Sequence, residues 1–250
     1  MVPEVSIVVP TYKRPAKLER ALASIKPACS VPYEVLVVDD CPEGSAFEVA
    51  KAFAAVYVCK SGQNRGLSAS RNIGIALSRA ERLVFLDDDD FFSPGGLDML
   101  YLASKSGASF AFGDCSMLHP TEKILTRLSG ASREQLLVCN QIPVGAYMIN
   151  RGCIRRTFDE GMRSHEDWEF ILSNVNWSSF KHVAFDVVTI DKTENQSTSM
   201  QARRRSLFWL DFLSVYSRFP APELSVQRQS MLAKLGLHIE SGQLQGGDTI

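Results

Sequence analysis

The stretch Leu83-Val84-Phe85-Leu86-Asp87-Asp88-Asp89-Asp90 places four adjacent carboxylates directly after four apolar residues. A continuous apolar run of this length is typical of a strand covered on both faces. Adjacent carboxylates repel one another, so their position against the core favours a cation that offsets their charge. If the strand geometry persists, Asp87 and Asp89 point to one side and offer the oxygen ligands that Mg²⁺ or Mn²⁺ prefers. The alternative is a solvated acidic turn, the usual fate of short charge runs.

Working outward, the first hundred residues alternate apolar runs with segments of helical length. The runs at 5–9, 34–38, 56–58 and 83–86 predict strands, and the segments at 15–26, 45–53 and 67–79 predict helices. Strands that alternate with helices indicate a mostly parallel sheet with right-handed crossovers. Such a sheet binds ligands beyond the carboxyl ends of its strands, which is where the polar loops of this sequence gather.

The remainder of the chain carries weaker patterns. We predict strands at 110–113 and 144–149, and helices at 94–106, 167–174, 207–219 and 223–239, followed by a polar tail at 241–250. This pattern divides the chain into a first half, 1–115, a second half of the same domain, 116–200, and a helical C-terminal extension with its tail, 201–250.

Composition excludes several classes of partner. The 250 residues carry 27 basic and 28 acidic side chains, so the net charge of −1 gives no overall attraction to nucleic acid. No apolar run approaches the ~20 residues of a transmembrane helix, and the first residues lack a signal-peptide pattern. The six cysteines lack the C-x-x-C spacing of zinc or redox sites. We expect a cytoplasmic protein with free thiols, for which peripheral membrane contact stays open.

Three segments together resemble the family 2 glycosyltransferases. They are SIVVPTYKR at 6–14 with VVDD at 37–40, NRGLSASRNIG at 64–74, and FLDDDD at 85–90. The resemblance is close over residues 4–115 and looser to about residue 200. It implies the GT-A fold, a Rossmann-like and mostly parallel α/β sheet flanked by helices, here with a helical C-terminal extension.

The resemblance also implies a nucleoside-diphosphate sugar donor and Mn²⁺ or Mg²⁺. It assigns the metal to Asp89 and Asp90. It assigns the donor nucleotide to Pro10, Thr11, Tyr12, Asp39, Asp40, Asn64, Arg65, Arg71, Asp87 and Asp88. The chemistry agrees, since carboxylates accept hydrogen bonds from ribose or base and arginine pairs with phosphate. Asp39 as a turn former and Arg65 as a solvated loop charge remain alternatives.

The second half would supply the acceptor site and the base. HEDWE at 165–169 resembles the Glu-Asp motif of the family, which makes Asp167 the candidate general base and His165, Glu166 and Trp168 acceptor-side candidates. A carboxylate in hydrogen-bond reach would take the proton of a sugar hydroxyl as that oxygen attacks. Helix capping is the alternative for Asp167, and core packing for Trp168.

These assignments predict transfer of a single sugar with inversion of the anomeric centre. Residues 201–205, QARRR, lack the tryptophan of the Gln-x-x-Arg-Trp motif of processive members. The acceptor stays open among lipid-linked sugars, oligosaccharides, proteins and small metabolites. Two alternatives remain, a nucleotidyltransferase of related fold and a nucleotide- or carbohydrate-binding module without turnover.

Overall fold

The first four strands lie side by side and parallel in the order β3-β2-β1-β4. The computed structural model describes residues 2–59, 65–194 and 205–237. Within it the strands are β1 Val5–Thr11, β2 Tyr33–Asp39, β3 Val56–Cys59 and β4 Arg82–Phe85. Side chains of β1 and β4 are buried throughout, as their unbroken apolar runs predict. All four strands therefore end at one edge of the sheet.

Helices connect these strands as predicted. They are α1 Pro15–Ala28, α2 Phe47–Ala52 and α3 Leu67–Leu77. Pro15 stands in the first turn of α1, where a missing N–H costs nothing. Leu18, Leu22 and Ile25 form the buried face of α1, at the helical spacing seen in the sequence. The helices thus cover the parallel strands and leave the loops at their carboxyl ends accessible.

Beyond β4 the sheet becomes mixed. It continues in the order β4-β8-β6-β9-β5, with β7 paired to β6. β8 is antiparallel to both of its neighbours, and β9 is parallel to β6. The elements of this part are β5 Phe91–Phe92, α4 Gly96–Lys105, β6 Phe110–Leu118, β7 Lys123–Thr126, α5 Arg133–Leu136, β8 Tyr147–Asn150, α6 Glu166–Asn174 and β9 Phe180–Asp191.

The structure corrects two sequence predictions in this part. Residues Val144–Ala146, predicted as strand, form a 3-10 turn, and β8 begins only at Tyr147. The twelve-residue strand β9 was not predicted. Only Val187–Ile190 of β9 are buried, and the pairing with β6 shifts register near Gly113. The sequence of β9 therefore shows no simple alternation of apolar and polar residues.

Two helices follow β9 along the chain. They are α7 Arg205–Arg218 and α8 Ser225–Lys234, with a 3-10 turn Pro222–Leu224 between them. The helix predicted at 223–239 therefore begins two residues later than expected. The basic run at 201–204 and the tail at 241–250 lie outside the described residues. Within the described ranges, no helix is both long and apolar enough to cross a bilayer.

We expect Gly74→Ala to destabilise the fold, because the new Cβ would lie 2.2 Å from Cγ1 of Val8 on β1. Overpacking of this kind costs about 1 to 3 kcal/mol, and the gain in helix propensity offsets only about 1 kcal/mol. Urea unfolding would measure the loss. Gly152→Ala is the control, since a Cβ there has no neighbouring atom within 4 Å. Equal stability of the two variants would contradict this packing.

Candidate active site

The four aspartates form a turn at the end of β4. The Leu86 N–H donates to the carbonyl of Val8 at 3.0 Å, and the Asp90 N–H donates to the carbonyl of Asp87 at 3.0 Å. The expectation that Asp87 and Asp89 alternate along a strand is therefore wrong, because β4 ends at Phe85. The turn gives each carboxylate a different environment.

Asp88 is buried beneath the first loop. Its carboxylate accepts a hydrogen bond from Oγ1 of Thr11 at 2.7 Å and pairs with Arg14 at 2.6 Å. Arg14 also reaches Asp89 at 2.8 Å. Burial raises the pKa of Asp88 to about 6, although Arg14 and Thr11 lower it. The sequence predicts a bound cation that offsets the repulsion among the four carboxylates. Arg14 offsets part of that repulsion in the structure.

Asp90 is the least compensated carboxylate of the turn. It is 6% exposed, and one of its oxygens accepts a hydrogen bond from the Asp191 N–H of β9 at 3.0 Å. Burial, and next the negative charge of Asp87, raise its pKa to about 8. A cation beside this carboxylate would relieve both effects.

Arg71 joins the acidic turn to the helix that carries Asp167. The guanidinium is 2% exposed, donates to Asp87 at 2.8 Å and to Glu166 at 2.9 Å, and stacks on the ring of Phe158. The pKa of Arg71 is raised by these two carboxylates, against the opposing effect of burial. The guanidinium is therefore enclosed and joins two segments of the site, and its contact with the nucleotide stays a prediction.

Asp167 lies in the first turn of α6. One oxygen accepts the N–H of Trp168 at 2.7 Å, and the other accepts the side-chain amide of Asn140 at 2.9 Å. Burial, and next the charge of Glu166, raise its pKa to about 7, with Arg71 opposing. A carboxylate with this pKa can exchange a proton near neutral pH. The capping alternative is not what the structure shows, because the N-cap residue of α6 is His165 and no side chain caps the helix.

The loops after β2 and before α3 form the far side of the site. Asp39 accepts hydrogen bonds from the N–H groups of Cys41 and Ala46 and from the hydroxyl of Tyr57, so it holds its own loop, as the turn alternative expected. Its contact with the nucleotide stays a prediction. Asp40 accepts the N–H groups of Arg65 and Gly66 at 3.1 and 2.7 Å. Gly66 has φ of +89°, a conformation that favours glycine at this turn.

The other predicted donor residues are distributed as follows. Pro10 is buried, whereas Tyr12 is 40% exposed at the edge of the site. The exposed side chain of Arg65 pairs with Glu160 at 2.7 Å. Asn64 lies outside the described residues. Among the described candidates, the side chain of Arg65 is therefore the most exposed, followed by Tyr12 and then by Asp87 and Asp89.

Two acceptor-side candidates belong to packing instead. Trp168 is fully buried, and its indole N–H donates to the carbonyl of Leu136 at 2.6 Å, so it is a core residue, as the packing alternative expected. The ring of His165 contacts Phe208 and Phe212 of α7 with centroid distances of 4.5 and 5.1 Å. Burial lowers the pKa of His165. His165 is thus an element of the aromatic core rather than part of an open surface.

The sequence prediction missed two residues that hold the site together. Arg14 lies within the first motif, residues 6–14, and directly precedes α1. Its positive charge was the available signal for pairing with the acidic run. Asn140 lies in a loop with no recognisable pattern and approaches Asp167 only through the tertiary fold. Nothing in a single sequence identifies that contact.

The chain is similar in sequence to known glycosyltransferases. Residues 6–122 match the model of glycosyl transferase family 2. An uncharacterized glycosyltransferase of Haemophilus influenzae is 29% identical over 185 residues, which cover 70% of this chain and 63% of that protein. The uncharacterized glycosyltransferase YwdF of Bacillus subtilis is 27% identical over 227 residues, which cover 84% of this chain and 83% of YwdF. The chain thus spans less than two thirds of the Haemophilus relative.

Solved structures show the same fold. Staphylococcus aureus TarS, residues 1–349 in complex with UDP-GlcNAc, superposes with a TM-score of 0.65 at 14% identity, covering 96% of this chain and 69% of that one. The α/β architecture is the GT-A fold of glycosyltransferases. The match over residues 6–122 and these relatives support a family 2 glycosyltransferase, as the motifs predicted.

We expect Arg71→Ala to lower the free energy of unfolding by about 3 to 5 kcal/mol, because it leaves partly buried carboxylates without their cation. Urea unfolding would measure the effect. Arg65→Ala is the matched control, since its pair with Glu160 is exposed and worth about 0 to 1 kcal/mol. Similar losses in both variants would contradict the linking role of Arg71.

Proposed function

We propose that the chain transfers one sugar from a nucleoside-diphosphate sugar to an acceptor hydroxyl, with inversion and with a divalent cation. The observation that carries the proposal is the single guanidinium of Arg71 between Asp87 and Glu166. Through it, the acidic turn at the end of the parallel strands lies next to the helix of Asp167. A donor site and a base on one edge are what a one-step displacement requires.

The donor would lie over the ends of β1, β2 and β4. Tyr12 and the loop fixed by Asp40 flank the nucleotide, and the side chains of Asp87 and Asp89, 31% and 30% exposed, face the ribose and diphosphate. The complex of TarS with UDP-GlcNAc supports a nucleotide sugar as the ligand class. The sugar, the base and the acceptor are left unassigned.

The carboxylates of the turn fit a hard divalent cation. Asp89 and Asp90 would hold it, as the family resemblance implies, and a cation beside Asp90 would favour the ionised form that burial and the charge of Asp87 disfavour. Across the described residues, no group of three or more His, Cys, Asp or Glu is arranged to hold a metal. Mg²⁺ and Mn²⁺ need only one or two carboxylates when diphosphate and water complete the shell. Bound there, the ion would supply Lewis-acid stabilisation of the leaving diphosphate.

Asp167 would take the acceptor proton. Asn140 and the N–H of Trp168 fix its two oxygens, so the carboxylate is oriented before the acceptor arrives. As the acceptor oxygen bonds to the anomeric carbon, its proton passes to Asp167 and the bond to the diphosphate oxygen breaks. Attack from the side opposite the leaving group inverts the centre.

We expect UDP with Mn²⁺ to raise the thermal unfolding temperature, and more at about pH 9 than at about pH 6, because ligands that bind the native state stabilise it. Asp90 has a raised pKa, so its ionised form costs folding stability as pH rises from about 4 towards 8, and the cation relieves that cost. Asp90→Asn should be the more stable apoprotein at high pH and lose the Mn²⁺ response.

The control for this measurement is Glu122→Gln, an exposed carboxylate in the β6–β7 turn. Substituting GDP and dTDP for UDP tests which nucleobase the site accepts. If no nucleotide shifts the transition with or without Mn²⁺, the donor site is refuted. An unchanged Mn²⁺ response in Asp90→Asn would refute the metal assignment alone.

We expect Asp167→Asn to reduce release of nucleoside diphosphate from its donor by about 10²- to 10⁴-fold while donor binding persists. In the wild-type protein the rate should rise with pH and level off above about 7, since the base acts only when ionised. Retained turnover in the variant would refute Asp167 as the base. Metal-dependent binding without turnover on any acceptor would favour a binding module.

A further inference from the structure

The turn that leads into α6 is held by the C-terminal helix α7. One oxygen of Asp211 accepts hydrogen bonds from the N–H of Arg163 at 2.8 Å, the N–H of Ser164 at 3.0 Å and the hydroxyl of Ser164 at 3.3 Å. A carboxylate that accepts two successive backbone N–H groups fixes the path of that backbone. The turn ends only two residues before Asp167.

The next residue of the turn is fixed by aromatic packing. His165 has φ of +59°, a conformation that non-glycine residues adopt at a cost and only where the surroundings hold them. Phe208 and Phe212 of α7 and Trp168 of α6 surround its ring with edge-on contacts. The carbonyl of His165 then accepts the N–H of Glu169, which starts the helix. The same face of α7 thus sets the direction in which α6 begins.

The loop on the other side of Asp167 is held by the same pair of helices. The hydroxyl of Tyr216 donates to the carbonyl of Val138 at 2.7 Å, and the guanidinium of Arg228 on α8 donates to the carbonyl of Leu137 at 2.9 Å. This loop carries Asn140, which binds the carboxylate of Asp167. The turn before α6 and the loop that carries Asn140 are therefore both held by residues of α7 and α8.

We propose that α7 and α8 form a brace that positions the base Asp167, with Asp211 as its principal positioning residue. The proposal rests on the proposed function for the identity of the base. It assigns a role to residues 205–237, which lie beyond the segment that matches the family model. Asp211 itself acts through the backbone of the turn and touches neither donor nor acceptor in this role.

The brace also determines how much water reaches Asp167. Glu166, Arg71 and Asp87 are the charged groups that act on Asp167, and Cys139 lies near it on the adjacent loop. Because burial is the main cause of its raised pKa, loosening of the turn would admit water and lower that pKa. A residue that served only global stability would leave this pKa unchanged in the folded fraction.

The experiment compares the full-length protein with Asp211→Ala, Asp211→Asn and Tyr216→Phe. The probes are hydrolysis of UDP-GlcNAc, UDP-glucose or GDP-mannose with Mn²⁺, the affinity for UDP, and a carbon-13 titration of the Asp167 carboxyl. For Asp211→Ala we expect about a tenfold loss of turnover, because small misplacement of a reacting group costs up to about 10²-fold. UDP affinity should stay within about twofold, since the donor side is unchanged.

The titration should show a lower pKa of Asp167 in Asp211→Ala, with Asp211→Asn intermediate because its amide oxygen can still accept one N–H. Tyr216→Phe keeps the ring and removes the hydrogen bond to Val138. It should lower turnover by less than Asp211→Ala does. Glu122→Ala, which removes an exposed carboxylate in the β6–β7 turn outside α7 and α8, is the control and should change none of these readouts.

An unchanged pKa of Asp167 in Asp211→Ala would overturn the brace, as would a fall in turnover matched by an equal fall in UDP affinity. Failure of the proposed function gives a different result. A wild-type protein that binds UDP yet turns over none of the probes would refute the enzyme, while the titration of Asp167 would still decide whether Asp211 positions it.

Discussion

The arrangement of the site depends on one buried guanidinium. Arg71 is enclosed by the fold, and its two ion pairs join the turn at the end of β4 to the first residue of α6. A buried cation is tolerated only when it is paired and hydrogen-bonded, so Asp87 and Glu166 are fixed as firmly as the arginine itself. Two segments far apart in the chain thereby acquire a defined spacing, which the chemistry of group transfer needs.

Arg14 performs a related task for the first loop. It pairs with Asp88 and Asp89, while Thr11 closes over Asp88 from the same loop. The acidic turn is thus tied to the loop after β1 by an internal cation and to α3 by another. This explains how four adjacent carboxylates fold at the edge of a sheet. Asp87, Asp88 and Asp89 have arginine partners, whereas Asp90 accepts a backbone N–H from Asp191.

Much of the fold was predictable because its signals are local. The apolar runs of β1, β2 and β4 and the helical spacing of Leu18, Leu22 and Ile25 reflect burial that each segment undergoes. β9 was missed because its pairing with β6 shifts register and most of its length is only partly buried. The motifs located the candidate site, but they could not show that Trp168 faces the core or that Asp39 holds its own loop. Those facts depend on contacts with Leu136 and Tyr57, which no spacing rule connects.

The carboxylates of the site divide by how their charge is offset. Asp87 and Asp88 have arginine partners, whereas Asp90 and Asp167 are held mainly by neutral donors, a backbone N–H in one case and an N–H and an amide in the other. The pKa values of Asp90 and Asp167 are raised to about 8 and about 7, above the value of about 6 for the arginine-paired Asp88. Carboxyl groups with a raised pKa are suited to binding a cation or taking up a proton near neutral pH, which carboxylates paired with arginine are not. Asp90 would respond to an added cation and Asp167 to an added proton, so the same principle supports a metal role for one and a base role for the other.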